Sequence, residues 1–134
     1  MTPRFLLDTH VAVRWLSQPK KLSQEQRRVL RDAVHRCESL GLSGVTLLEI
    51  AVRFSDPKTR VGDPPEELLA QLDANPAFHI LPVTTEIATE VVALRNSLRD
   101  PMDCAIVATA RVHGLTLLTS DQRIIASKLV PVVE

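Results

Sequence analysis

Tyrosine is missing from this 134-residue chain, tryptophan occurs once and phenylalanine three times. So few rings leave little from which to build a stacking platform for single-stranded nucleic acid. Cysteine occurs only as Cys37 and Cys104, far apart and in no CxxC pair, so neither a disulfide framework nor a zinc site is indicated. Both cysteines are expected to pack as small apolar side chains. No apolar run approaches the ~20 residues of a membrane span, and the first residues show no signal-peptide pattern. A cytoplasmic location with no membrane association is the expectation. Neither sign of charge is in excess, since 16 basic and 16 acidic residues cancel. Any polyanion site must therefore come from local arrangement. GxSxG, P-loop and GxGxxG motifs are also missing, which removes the nucleophile elbow and the glycine-rich phosphate cradles.

What is present is a chain rich enough in apolar residues, at 45%, to exclude intrinsic disorder and to bury a core as one domain over 1–134. Short apolar runs alternate with helical periodicity. Strands are expected at 4–7, 42–45, 78–81, 115–118 and, at the edge, 130–133. Helices are expected over 9–16, 22–40, from 46, over 66–73, 84–98 and 101–113, with a helical turn at 122–126. Val11, Val13 and Trp15 should face inward from the first helix. Val29, Leu30, Ala33, Val34, Cys37 and Leu40 repeat at helical spacing in the second, with Gly41 as its stop. Ser23 and Gln26 form a capping-box pattern. Arg27, Arg28, Arg31 and Arg36 line the other side of that helix, as either a solvated face or an RNA contact. Asp56-Pro57, Gly62-Asp63 and Pro64-Pro65 mark a loop over 55–65, too short to divide domains. Alternating strands and helices predict an α/β fold with three α/β/α layers and a central parallel sheet of four to five strands. Ligands of such sheets bind beyond the carboxyl ends of the strands, where strand order switches.

The acids fall at that edge. Asp8 closes the first strand, and Asp121 follows strand 115–118 by three residues. Glu49 lies one helical turn beyond the second strand, although Thr46-x-x-Glu49 is also a capping box. Asp100 fits the cap before Pro101, and Asp103 lies in the first turn of the same helix. Taken alone, that last pair is a good helix start, because acids favour the positive end of the helix dipole. Together, four or five carboxylates in one crevice repel one another, and a divalent cation relieves that cost. All-oxygen ligation suits Mg²⁺ or Mn²⁺, the usual ions of phosphate-ester chemistry. Thr9 and Thr119 flank the acids and either orient a carboxylate or cap an element. His10 reads as structural or exposed.

Four segments together resemble the PIN domain, and more narrowly the VapC-type toxins of prokaryotic toxin–antitoxin pairs. They are Leu6-Leu7-Asp8-Thr9-His10, Thr46-x-x-Glu49-Ile50-Ala51, Arg99-Asp100-Pro101-Met102-Asp103-x-x-Ile106-Val107-Ala108-Thr109-Ala110 and Leu118-Thr119-Ser120-Asp121. The resemblance implies a parallel sheet between helices and Mg²⁺- or Mn²⁺-dependent cleavage of RNA. It implies Asp8 and Asp103 as primary metal ligands, Glu49 completing the cluster, and Asp121 as the fourth acid. Asp100 is the additional acid of an Asp-Pro-x-Asp subgroup. That subgroup usually carries arginine where this chain has Cys104, which removes a positive charge beside the site. A small cognate antitoxin and a homodimer are implied as partners. Arg14, Lys20, Lys21 and Arg53 are the basic residues nearest the acids in sequence. Other readings are a PIN nuclease of RNA processing or DNA cleavage, and a catalytically silent PIN-fold interaction module. A phospho-acceptor receiver domain fits poorly, since Leu7 precedes Asp8 where an acidic pair is needed.

Overall fold

The computed structural model of the protein describes residues 3–56, 58 and 63–134. Five strands form one all-parallel sheet: β1 (Phe5–Leu7), β2 (Leu40–Ser43), β3 (Phe78–Leu81), β4 (Thr116–Leu118) and β5 (Val132–Val133). Their order is β3-β2-β1-β4-β5. The chain moves outward from β1 through β2 to β3, then returns to the other side of β1. The switch point therefore lies between β1 and β4.

Among the described residues, seven α-helices cover the sheet: α1 (Thr9–Ser17), α2 (Gln24–His35), α3 (Gly44–Arg53), α4 (Pro65–Ala74), α5 (Thr85–Leu94), α6 (Pro101–His113) and α7 (Gln122–Ser127). A strand alternates its side chains between two faces, and the alternation is visible here. Leu7, Leu40, Leu42 and Leu118 join Val11, Leu30, Ile50 and Leu72 in one buried cluster. Leu6 and Leu117 point the other way, into a cluster with Ile87, Leu94, Ile106 and Val107. Two cores separated by one sheet make the expected three-layer α/β/α arrangement. No helix among the described residues is long and apolar enough to cross a membrane.

Local chemistry sets most boundaries. Asp100 caps α6, Pro101 opens it, and Gly114 closes it at φ 65°, in the left-handed region. Ser23 and Gln26 make the expected capping box at α2, and Thr84 caps α5. The loop expected over 55–65 falls partly outside the described residues, Pro57 and Gly62 included, and α4 begins at Pro65.

The second helix departs from expectation. It stops at His35 rather than reaching Leu40; Cys37 takes φ 56° and is exposed, and Val34 is exposed as well. Leu40 and Gly41 belong to β2, so the apparent helical period across 29–40 joins two elements that bury side chains on the same core. Gly41 is not a helix stop but a point of close approach. A Cβ there would lie 2.9 Å from the Phe5 carbonyl oxygen and 3.4 Å from Leu6 Cδ1. The helix expected over 84–98 also ends early, at Leu94, although Leu98 stays buried.

Gly41→Ala should therefore push β1 and β2 apart at their first pairing and lower stability by about 1–3 kcal/mol. Urea unfolding would measure the loss.

Candidate active site at the sheet switch point

Asp8 follows β1 directly and caps α1, its carboxylate accepting from Thr9 N–H at 2.8 Å. Its other oxygen accepts from the Thr119 hydroxyl at 2.7 Å, while its own N–H donates to the Leu118 carbonyl at 2.9 Å. Adjacent parallel strands are thus joined at their carboxyl ends through this acid. Thr119 also accepts from Asp121 N–H at 3.1 Å, which sets the start of α7. Both threonine readings resolve toward positioning.

Glu49 sits on α3, and the cap of that helix is Ser43 rather than Thr46. The capping-box reading of Thr46 and Glu49 therefore fails, and both side chains are freed for the site. The Thr9 hydroxyl donates to Glu49 Oε1 at 2.6 Å and stands 3.1 Å from the Thr46 hydroxyl. Since Thr9 has one proton and gives it to the carboxylate, Thr46 must donate to Thr9. Arg53, one turn along α3, meets Glu49 Oε2 at 3.2 Å and Asp100 Oδ2 at 2.9 Å.

Asp8, Glu49 and Asp103 are 7%, 3% and 8% exposed, a degree of burial that acids rarely show without compensation. They line one cleft of ≈ 300 Å³ with His10, Arg14, Arg53, Ser120, Asp121 and Arg123. A shallower groove of ≈ 770 Å³ beside α5 and β5 holds the Glu90–Arg111 ion pair but no acid cluster. Chemistry rather than volume singles out the smaller cleft.

The charges are unevenly compensated. Burial, then the negative charges of Asp100, Asp121 and Asp8, raise the Asp103 carboxyl to about 7, against a smaller opposing pull from Arg123. Burial pushes Asp100 upward too, but the Arg53 guanidinium and the N–H groups of Asp103 and Met102 outweigh it and hold it below its ordinary value. Asp121 is held low chiefly by its hydrogen bond from Arg123.

All five expected acids are brought to the same carboxyl edge. Asp8, Glu49, Asp103 and Asp121 line the cleft, and Asp100 joins it through Arg53. Of the basic candidates, Arg14 and Arg53 line it as well, while Lys21 lines a small neighbouring pocket with His10 and Arg14. His10 is exposed at the rim, its ring edge-on to Phe54. The arginines of α2 stay away: Arg28 pairs with Glu25 and Asp32, and Arg36, just past the helix end, pairs with Glu38. Cys104 is buried, with its thiol donating to the Leu98 carbonyl at 3.1 Å. Positive charge is supplied instead from Arg53 and Arg123.

Two participants escaped the sequence reading. Arg123 reaches Asp121 at 3.0 Å and Asp103 at 3.5 Å. A cation in the first turn of a helix opposes the dipole, and that misfit is the signal that marks it. Gln26 is fully buried, and its amide nitrogen lies 3.2 Å from the Thr119 and Val133 carbonyls and 3.4 Å from Ser120 Oγ. Its role in the capping box hid this second one, since a single side chain serves both.

The donor set is all oxygen, buried and short of positive charge, which fits a hard divalent cation. Among the described residues, however, no three His, Cys, Asp or Glu side chains stand together as a formed ligand group. Each cleft acid is turned onto a hydroxyl, a backbone N–H or a guanidinium instead.

Gln26→Leu should take the Gln26 donor from the buried Thr119 carbonyl, while the Val133 carbonyl keeps the Thr119 N–H, and lower stability by about 1–3 kcal/mol, measurable by denaturant unfolding. Asp103 also makes stability depend on pH. Its carboxyl ionises near 3.8 ordinarily and at about 7 when folded, so between these values the folded chain keeps a proton that the unfolded chain has lost. Stability should fall as pH rises through that window and stay low above it. Asp103→Asn should therefore be the more stable protein at pH 8 without divalent cations, by about 2–4 kcal/mol, with the gap closing toward pH 4. Parallel melts of the two proteins across pH would test this.

The PIN domain family profile matches residues 5–128. Ribonuclease VapC22 of Mycobacterium tuberculosis is 32% identical over 122 residues, which is 89% of this chain and 88% of that protein. Among solved structures, VapBC2 from Rickettsia felis, bound to a DNA fragment from its promoter, aligns at TM-score 0.71 with 15% identity, covering 96% of each chain. FitAcB from Neisseria gonorrhoeae aligns at 0.68 with 24% identity, covering 97% of this chain and 96% of that one. A parallel sheet switching between β1 and β4, acids gathered at that switch, and a match along nearly the whole chain lead to one assignment: this protein belongs to the PIN domain family.

Proposed function

We propose that this chain is a metal-dependent endoribonuclease, the toxin of a prokaryotic type II toxin–antitoxin pair, acting in the cytoplasm. The observation that carries the reading is the gathering of three buried carboxylates, Asp8, Glu49 and Asp103, in one cleft that Asp121 also lines. The relative that is 32% identical bears the name of a ribonuclease, which supports RNA as the substrate.

Asp8, Glu49, Asp103 and Asp121 would hold Mg²⁺ or Mn²⁺. Bound there, the cation supplies an activated water and stabilises charge building at the scissile phosphate and leaving oxygen. The remaining work belongs to the chain. Thr119 and Thr9 each give a hydroxyl proton to an acid, fixing Asp8 and Glu49 in orientation. Such outer contacts hold ligands in place. Asp100 contributes through Arg53, so its role is to place a positive charge beside Glu49. Arg14 lines the mouth of the cleft and offers a contact for an RNA phosphate. A small antitoxin and a second copy of this chain are the proposed protein partners, supported by the fold shared with the VapBC structure.

Purified protein should cleave single-stranded RNA with Mg²⁺ or Mn²⁺, cease with EDTA, and lose activity by orders of magnitude on Asp103→Asn. Cleavage that survives Asp103→Asn would sink the assignment of the site. Cleavage of DNA in preference to RNA would move the chain to the alternative nuclease reading.

A further inference from the structure

Arg123 holds two of the four cleft acids that the proposed cation would also need. Its Nη2 lies 3.0 Å from Asp121 Oδ2 and 3.5 Å from Asp103 Oδ2, and its Nε lies 3.3 Å from Asp121 Oδ1. The guanidinium thus grips Asp121 with two nitrogens and spans to Asp103 with one. Arg53 is placed differently, since it also pairs with Asp100, which is not among the proposed ligands.

Among the described residues, the side-chain hydrogen bonds of Arg123 go to these two acids. Its side chain is 72% exposed, and its helix α7 has six residues with Arg123 in the first turn, at the end whose dipole disfavours a cation. Asp121 and Asp103 do most to compensate that misfit, with a weaker attraction from Asp100. Exposed pairs of this kind are weak and exchange readily with other ions. A divalent cation taking oxygens from Asp103 and Asp121 removes the attraction and adds repulsion at short range. A guanidinium released at the rim of this cleft is a planar fork of donors, the shape that grips a phosphate with two hydrogen bonds.

We propose that Arg123 is an exchangeable counter-ion: it neutralises Asp103 and Asp121 until a divalent cation displaces it, and then binds a phosphate of the RNA. The proposal rests on the nuclease reading above and adds a residue and an order of events to it. Metal entry frees the substrate contact, so RNA binding and metal binding become coupled through a single side chain. A protein without metal keeps its cleft acids partly neutralised and its phosphate contact withdrawn.

The test compares wild type, Arg123→Ala and Arg123→Lys, each stripped of metal and shown folded by circular dichroism. Mn²⁺ affinity is measured by calorimetry. Affinity for a fluorescein-labelled single-stranded RNA is measured by anisotropy across KCl concentrations, with Ca²⁺ replacing Mn²⁺ to hold back cleavage. Arg123→Ala should bind Mn²⁺ roughly three- to tenfold more tightly, because its competitor is gone. The same variant should bind RNA roughly tenfold more weakly, with a salt slope shallower by about one phosphate contact. Arg123→Lys should restore the competition with Mn²⁺ but only part of the RNA affinity, having the charge without the fork. Weaker or unchanged Mn²⁺ binding by Arg123→Ala overturns the proposal, as does an unchanged salt slope. If wild type binds both Mn²⁺ and RNA while Arg123→Ala matches it, only this proposal falls. If wild type binds neither, the nuclease reading falls and takes the proposal with it.

Discussion

Mutual repulsion among buried carboxylates governs this molecule. Three acids under 10% exposed share one cleft, and the Asp103 carboxyl stays protonated to about pH 7 because it is buried and, beyond that, because its neighbours are negative. A fold optimised for stability alone would not gather them, since a buried charge is tolerated only where hydrogen bonds or counter-charges answer it. Those answers are all built in. Threonine hydroxyls and helix-start N–H groups serve Asp8 and Glu49, and guanidiniums serve Glu49, Asp100, Asp103 and Asp121.

The two kinds of answer differ in stiffness. The hydroxyl contacts are buried and short; one ties the start of α1 to the middle of α3 across 40 residues, and the other ties the ends of β1 and β4 together across 111. Gln26 extends this rigid side by holding the Thr119 and Val133 carbonyls from beneath. The guanidinium contacts lie toward solvent on long side chains. One flank of the cleft is therefore fixed by the core, and the other is held by exposed charge. That division suits the proposed function, in which ligands are held in register while an ion and a polyanion enter.

The topology explains why the cleft forms where it does. All strands share one direction, so whatever follows β1 and β4 emerges at the same edge, and the return of the chain to the far side of β1 opens a crevice there. Asp8 and Asp121 stand at its two lips. The N-terminus of α6 brings Asp100 and Asp103 to the same edge, because a helix connecting parallel strands must run back down the sheet.

The layers, the strand count, the carboxyl-edge acids and the caps at Ser23, Thr84 and Asp100 were legible in the chain, because periodicity and capping are local rules acting within a few residues. The errors lie where two elements meet. Residues 29–40 look like one helix because α2 and β2 bury side chains in the same core, and only the sheet shows that Gly41 serves close approach to Phe5. Thr46 and Glu49 satisfy a capping pattern that the structure leaves unused, since Ser43 reaches the helix start first. Arg123 and Gln26 act on residues far along the chain, and no short window contains their partners. Sequence alone thus determined which acids reach one edge, because strand direction and helix starts are set locally. Tertiary structure decided which hydroxyls, amides and guanidiniums answer those acids, because a buried charge takes its partner from whatever packing brings within reach.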